Sequence, residues 1–129
     1  MSNLGFVPSV LVVDDFATMR RIVRNQLEEI GFRDIADAKD GESALRLMRD
    51  HDFHLIISDW NMEPMSGIEF LRRVRKTNKY KRTPFIMVTA ESKAENVREA
   101  RQAGVTNYII KPFTAATLRQ KIAASFEAA

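Results

Sequence analysis

The sequence predicts an α/β domain in which a parallel β-sheet is covered by helices on both faces. Short apolar runs alternate with helix-spaced apolar residues along the 129-residue chain. Most runs are apolar at every position, as strands buried on both sides require; a sheet with one wet face would alternate. Polar residues stop each run at its C-terminal end. Such strand–helix–strand units imply right-handed crossovers and therefore parallel strands.

Val10-Leu11-Val12-Val13 is the first strand, stopped by Asp14-Asp15. Met19, Ile22, Val23, Leu27 and Ile30 then line one face of a helix that ends at Gly31. A weaker strand is expected at Asp34 to Ala38, after which Asp40-Gly41 turns the chain into a helix carrying Ala44, Leu45 and Met48. Leu55-Ile56-Ile57 is the third strand, closed by Ser58-Asp59. Ser66-Gly67 opens a helix with Ile68, Leu71 and Val74. Phe85 to Val88 is the fourth strand, lying between Pro84 and Thr89. A helix bearing Val97, Ala100 and Ala103 stops at Gly104. The fifth strand is expected from Val105 to Ile110, and Leu118, Ile122 and Phe126 line the last helix. Five strands thus alternate with five helices in a single domain spanning 1–129, with no linker or repeat.

Hydrophobic residues make up 45% and charged residues 29% of the chain, the balance of an ordinary soluble protein. No apolar run reaches the roughly 20 residues that span a bilayer, and Met1 to Phe6 lack the basic flank and apolar core of a signal peptide. There is no cysteine, hence neither a disulfide framework nor a thiolate metal site. A cytoplasmic location and no membrane partner are expected. The net charge of +3 permits anionic partners, yet neither the Arg20, Arg21, Arg24 cluster nor the Lys76, Lys79, Lys81, Arg82 cluster belongs to a nucleic-acid motif. Both are read as solvated faces.

The chemistry collects at the strand C-termini: Asp14 and Asp15 after the first, Asp59 after the third, Thr89 after the fourth and Lys111 after the fifth. In an open parallel sheet these ends share the edge where such folds place ligands. Taken singly, an Asp after a strand is ordinarily a helix cap, Thr89 another cap and Lys111 a loop residue. Taken together, three carboxylates, a hydroxyl and an ammonium converge on one edge. Three close carboxylates stay ionised only if a cation offsets their repulsion. Oxygen donors without cysteine, and with His51 and His54 at the opposite edge, favour Mg²⁺ over Zn²⁺. Lys111 and Thr89 would hold further oxygens of a transferred group, and phosphoryl transfer asks mainly for such positioning and charge neutralisation. Asp59 is the expected nucleophile because it stands alone on a central strand, whereas Asp14-Asp15 resemble a metal clamp.

At these residues the chain resembles the receiver domains of two-component response regulators, most closely those of the single-domain chemotaxis type. The resemblance runs from Val10 to Phe126. It is carried by Leu11-Val12-Val13-Asp14-Asp15-Phe16, Thr18-Met19-Arg20-Arg21-Ile22-Val23-Arg24-Asn25, Ser58-Asp59-Trp60-Asn61-Met62, Val88-Thr89-Ala90-Glu91 and Lys111-Pro112-Phe113-Thr114-Ala115-Ala116-Thr117-Leu118. It implies a flavodoxin-like, doubly wound five-stranded sheet of order 2-1-3-4-5 with five helices. It further implies that Asp59 is the phosphoacceptor of a sensor histidine kinase. Asp14, Asp15, Asp59 and the backbone carbonyl of Asn61 would be Mg²⁺ ligands. Lys111 would pair with the phosphoryl group and be followed by a cis peptide bond. Thr89 and Tyr108 would be a switch pair: the hydroxyl moves to the new charge and the ring turns into the vacated space. The expected output is a changed face around the fourth helix, fifth strand and fifth helix.

With no output domain, a stand-alone monomer would signal by binding a target. A flagellar motor switch protein is the leading one, with a phosphatase as a further partner. A phosphorelay intermediate or kinase regulator outside chemotaxis is the alternative. The chain is expected to be no metabolic enzyme, catalysing only its own phosphoryl transfer and slow autodephosphorylation. An aspartyl-phosphate hydrolase would need Asp-x-Asp after the first strand, and here the pair is adjacent. An anion-binding adaptor for a cyclic dinucleotide would use Arg20, Arg21 and Arg24, against their reading as a solvated face. One departure from the family pattern stands out. Proline usually follows the methionine of the phosphorylation loop directly, but here the order is Met62-Glu63-Pro64, so Glu63 is the residue pushed toward extended geometry. Glu63 has two readings, a hydrogen bond to a metal-bound water or a pair with a nearby Lys or Arg.

Overall fold

Every second residue of the central strands goes to a different core, and this alternation organises the molecule. A computed structural model describes residues 8–90 and 93–128; Met1 to Phe6 and Glu91, both read above, lie outside the described residues. The strands are β1 (Ser9–Val13), β2 (Asp34–Ala38), β3 (Leu55–Asp59), β4 (Phe85–Thr89) and β5 (Asn107–Ile110). Between and after them run α1 (Ala17–Ile30), α2 (Gly41–Asp50), α3 (Gly67–Lys76), α4 (Ala94–Ala103) and α5 (Ala115–Ala128). All strand pairs are parallel, and the order is β2-β1-β3-β4-β5, as the resemblance implies.

Val10 and Val12 of β1, Leu55 and Ile57 of β3, and Ile86 and Val88 of β4 pack with Val23 and Leu27 of α1 and Leu118 and Ile122 of α5. The intervening Leu11, Val13, Ile56, Phe85 and Met87 face the other way, against Ala44 and Met48 of α2, Leu71 and Val74 of α3 and Ala100 of α4. Two buried faces explain the all-apolar strands. Edge strand β2 is buried only at Ile35 and Ala38, with Ala36 half-buried, which is why its sequence signal is weak.

Helix ends follow their local chemistry. Gly31 (φ 124°) and Gly104 (φ 99°) close α1 and α4 with positive φ, a backbone conformation that residues with a side chain rarely adopt. The side chains of Asp40 and Ser66 accept the capping bonds from Ser43 N–H (2.7 Å) and Glu69 N–H (3.2 Å). At α5 the Thr114 hydroxyl accepts from Thr117 N–H (3.2 Å).

Two features depart from the sequence expectation. β5 begins at Asn107 rather than Val105, because the Thr106 hydroxyl takes the Phe85 N–H (3.0 Å) and an Arg75 Nη2 hydrogen bond (3.2 Å). A 3₁₀ turn at Asn78–Tyr80, which periodicity did not suggest, leads from α3 towards β4. Arg75 braces it from inside: its guanidinium donates to the carbonyls of Gly104, Tyr80 and Thr83 at 2.8, 2.9 and 2.7 Å.

Candidate functional site

None of the three carboxylates at the sheet's C-terminal edge caps a helix. The N-cap position of α1 is Phe16, whose side chain makes no capping bond, and α3 is capped by Ser66. Asp14, Asp15 and Asp59 are therefore free to act on one another. One oxygen from each lies within 4.8 Å of the others. Asp14 and Asp59 are 5% and 6% exposed, while Asp15 is exposed.

Burial pushes the Asp14 carboxyl up to about 6 from its ordinary 3.8. The Phe16 N–H, which donates to Asp14 Oδ1 at 2.9 Å, pulls the other way, and the neighbouring Asp59 and Asp15 charges add to the rise. Lys111 Nζ lies 2.7 Å from Asp59 Oδ1. A desolvated, acidic, oxygen-only donor set fits a hard divalent cation.

The backbone around this cluster is tied strand to strand. Lys111 N–H donates to the Thr89 carbonyl (2.8 Å), and Trp60 N–H to that of Val88 (2.9 Å). Thr89 is buried at the end of β4, opposite Ile110. The Lys111-Pro112 peptide bond is cis, as the resemblance implies, and so is Glu63-Pro64. Asn61 is exposed in the loop after β3. Tyr108 is half-buried and pairs with Met87, two rungs before Thr89, so the expected switch residues share one strand pair without being opposite each other. Glu63 is exposed, and no ion pair involves it among the described residues; the pairing with a Lys or Arg is not found.

Two residues matter beyond the expected set. Arg20 is not part of a purely solvated face. Its Nη1 donates to the Asp14 carbonyl (2.7 Å) and its Nε to Asp37 Oδ2 (2.9 Å), so it holds the carboxylate loop against β2. Nothing in the sequence distinguishes Arg20 from Arg21, because its partners lie in the loop after β1 and in β2. Gly67, expected only as a helix opener, lies directly beneath the site. Its N–H donates to the Trp60 carbonyl (2.7 Å), and a Cβ there would stand 2.7 Å from Trp60 Cα and collide with the Asp59 carbonyl oxygen.

Residues 10–123 match the family of the response regulator receiver domain. Chemotaxis protein CheY-3 of Vibrio cholerae serotype O1 is 49% identical over 118 residues, covering 92% of this chain and 91% of that protein. Chemotaxis protein CheY of Pseudomonas aeruginosa is 48% identical over 118 residues, covering 92% and 95%. Among solved structures, chemotaxis response regulator CheY4 of Vibrio cholerae superposes with a TM-score of 0.87 at 36% identity, covering 93% of this chain and 99% of that one.

Proposed function

The chain belongs to the response regulator receiver domain family, and from that premise we propose that it is a phosphorylation-driven switch in chemotaxis signalling with Asp59 as phosphoacceptor. The observation that carries this reading is the buried Asp59 carboxylate, held 2.7 Å from Lys111 and within 4.8 Å of two further carboxylates. The similarity to two chemotaxis proteins at nearly half identity supports the pathway.

In the proposed reaction an Asp59 carboxylate oxygen attacks the phosphorus of a phosphohistidine on a sensor kinase. The new P–O bond forms as the P–N bond breaks, and its electron pair returns to the imidazole nitrogen, which takes up a proton from solvent. Asp14, Asp15, Asp59 and the Asn61 carbonyl would hold Mg²⁺, which supplies offsetting positive charge to the carboxylates and the phosphoryl oxygens when bound. Lys111 moves from Asp59 to a phosphoryl oxygen, and the Thr89 hydroxyl donates to another. As Thr89 shifts, the half-buried Tyr108 ring turns inward, changing the face formed by α4, β5 and α5. Ile110, a large apolar side chain 43% exposed on β5, suits that face to protein binding. A flagellar motor switch protein is the proposed target. No turnover of a metabolite is proposed, and loss of the phosphoryl group to water would be slow and self-catalysed. Among the described residues no helix is long and apolar enough to cross a membrane; a cytoplasmic location is part of the proposal.

Trp60 adjoins Asp59 and is the only tryptophan, so its fluorescence tests the reading. Mg²⁺ should change the emission, and a small phosphodonor should change it again. The second step should vanish in Asp59→Asn. If that variant keeps it, Asp59 is not the phosphoacceptor.

A further inference from the structure

Residues 72–82 carry seven Lys and Arg and no acid, and the acid-free stretch extends from Phe70 to Ala90. The chain has 20 basic and 17 acidic residues, so the remainder is net acidic and the molecule is electrically lopsided. The basic segment spans the end of α3 and the turn before β4, at the sheet edge opposite Asp14 and Asp59. The phosphoacceptor chemistry does not use it.

Several of these cations are already neutralised. Arg72 pairs with Glu99 (3.2 Å), Arg73 weakly with Glu42 (3.7 Å), and Lys79 with Asp52 (3.0 Å). Arg75 is turned inward onto backbone carbonyls. Arg49, Lys76, Lys81 and Arg82 are exposed and have no carboxylate partner among the described residues. Two grooves lie among them. One, about 450 Å³, has an apolar floor of Leu45, Met48 and Tyr80 and a rim of Arg49, Arg73 and Lys79. The other, about 520 Å³, is floored by Phe53, Pro84 and Phe126 and rimmed by Lys79, Lys81 and Arg82. Lys79 borders both, and no Asp or Glu lines either groove among the described residues. Their volumes are in the range that holds bulky side chains or small ligands.

We propose that this band is a docking surface for an acidic protein segment that carries an apolar anchor residue. Charge complementarity selects the acidic partner, and the apolar floors select a chain with side chains to insert. Single-stranded nucleic acid fits less well: Tyr80 and Phe53 are 2% and 5% exposed, which leaves only the half-buried Phe126 where successive bases need a series of ring faces. A bilayer fits less well too, because the exposed large apolar residues Phe16, Ile22 and Ile110 all lie outside the band.

The test uses the full chain and a short fluorescein-labelled poly-glutamate peptide containing one leucine, followed by anisotropy. The peptide should bind, should weaken as salt rises, and should bind several-fold more tightly than the same peptide with alanine for leucine. The triple variant Arg49→Glu, Lys81→Glu, Arg82→Glu should bind it about tenfold or more weakly. A control of equal net charge, Arg21→Glu, Lys39→Glu, Arg98→Glu, should retain most of the affinity. Absent binding, equal loss in both variants, or indifference to the leucine would overturn the proposal. Tighter binding to phosphatidylglycerol vesicles or to oligothymidylate would overturn it in favour of a membrane or a nucleic acid.

Discussion

Lys111 Nζ and Asp59 Oδ1 are 2.7 Å apart, so the ammonium already occupies one oxygen of the carboxylate that the proposed mechanism needs as nucleophile and metal ligand. In that mechanism Lys111 would compete for Asp59 before transfer and pair with the phosphoryl group after it. Lys111→Met should raise Mg²⁺ affinity modestly, because Asp59 no longer has to leave the ammonium. Phosphodonor-driven change in Trp60 emission should slow about 100-fold, the usual cost of removing a donor to a charged transition state. Mg²⁺ titration and stopped-flow fluorescence check the two halves separately. A fall in both would show that Lys111 acts on the metal site itself.

Asp14 gives a pH signature. Its folded-state carboxyl is raised to about 6 from an ordinary 3.8, chiefly by burial. As pH rises, the unfolded chain releases this proton first, so the folded state loses stability between those two values. Asp14→Asn keeps an oxygen for the Phe16 N–H yet carries no charge. It should stabilise the metal-free protein by about 2–3 kcal/mol at neutral pH and above, with little effect near pH 4. Saturating Mg²⁺ should recover most of the wild-type deficit and do little for the variant. Urea denaturation across pH, with and without Mg²⁺, measures both.

Arg20 positions the carboxylate loop through the Asp14 carbonyl and Asp37 without touching the cluster's carboxylate oxygens itself. Arg20→Ala should weaken Mg²⁺ binding about tenfold, as loss of an outer partner of a metal site commonly does. Asp37→Asn should cost less, since the bond to the Asp14 carbonyl survives. Trp60 fluorescence titration gives the affinities, and a Tm close to wild type would separate positioning from general destabilisation.

Gly67 and Gly41 make an internal comparison. A Cβ at Gly67 would run into the Asp59 and Trp60 backbone, whereas one at Gly41 would meet the movable Met65 Sδ at 2.5 Å. Gly67→Ala should therefore destabilise by about 1–3 kcal/mol and disturb the Mg²⁺-dependent Trp60 signal. Gly41→Ala should cost clearly less and leave that signal in place. Equal effects would mean that the loop beneath Asp59 relaxes easily.

The alternation of elements, the two-sided burial of the sheet and the convergence of Asp14, Asp15, Asp59, Thr89 and Lys111 on one edge are all legible in the amino-acid sequence. Apolar periodicity reports how each segment is buried, and parallel topology then brings all strand C-termini together. Taken singly, Asp59 is an acidic residue ending a strand; that convergence is what marks it as a site residue. Periodicity is blind to partners chosen through space. The folded molecule is what shows that Arg20 reaches the Asp14 carbonyl, and that Arg75 braces Gly104, Tyr80 and Thr83. It also placed Gly67 against the Asp59 and Trp60 backbone and let the Thr106 hydroxyl delay the start of β5. Each of these depends on a hydrogen bond or close contact between segments far apart in the chain, where direction and distance decide the outcome and residue type alone does not.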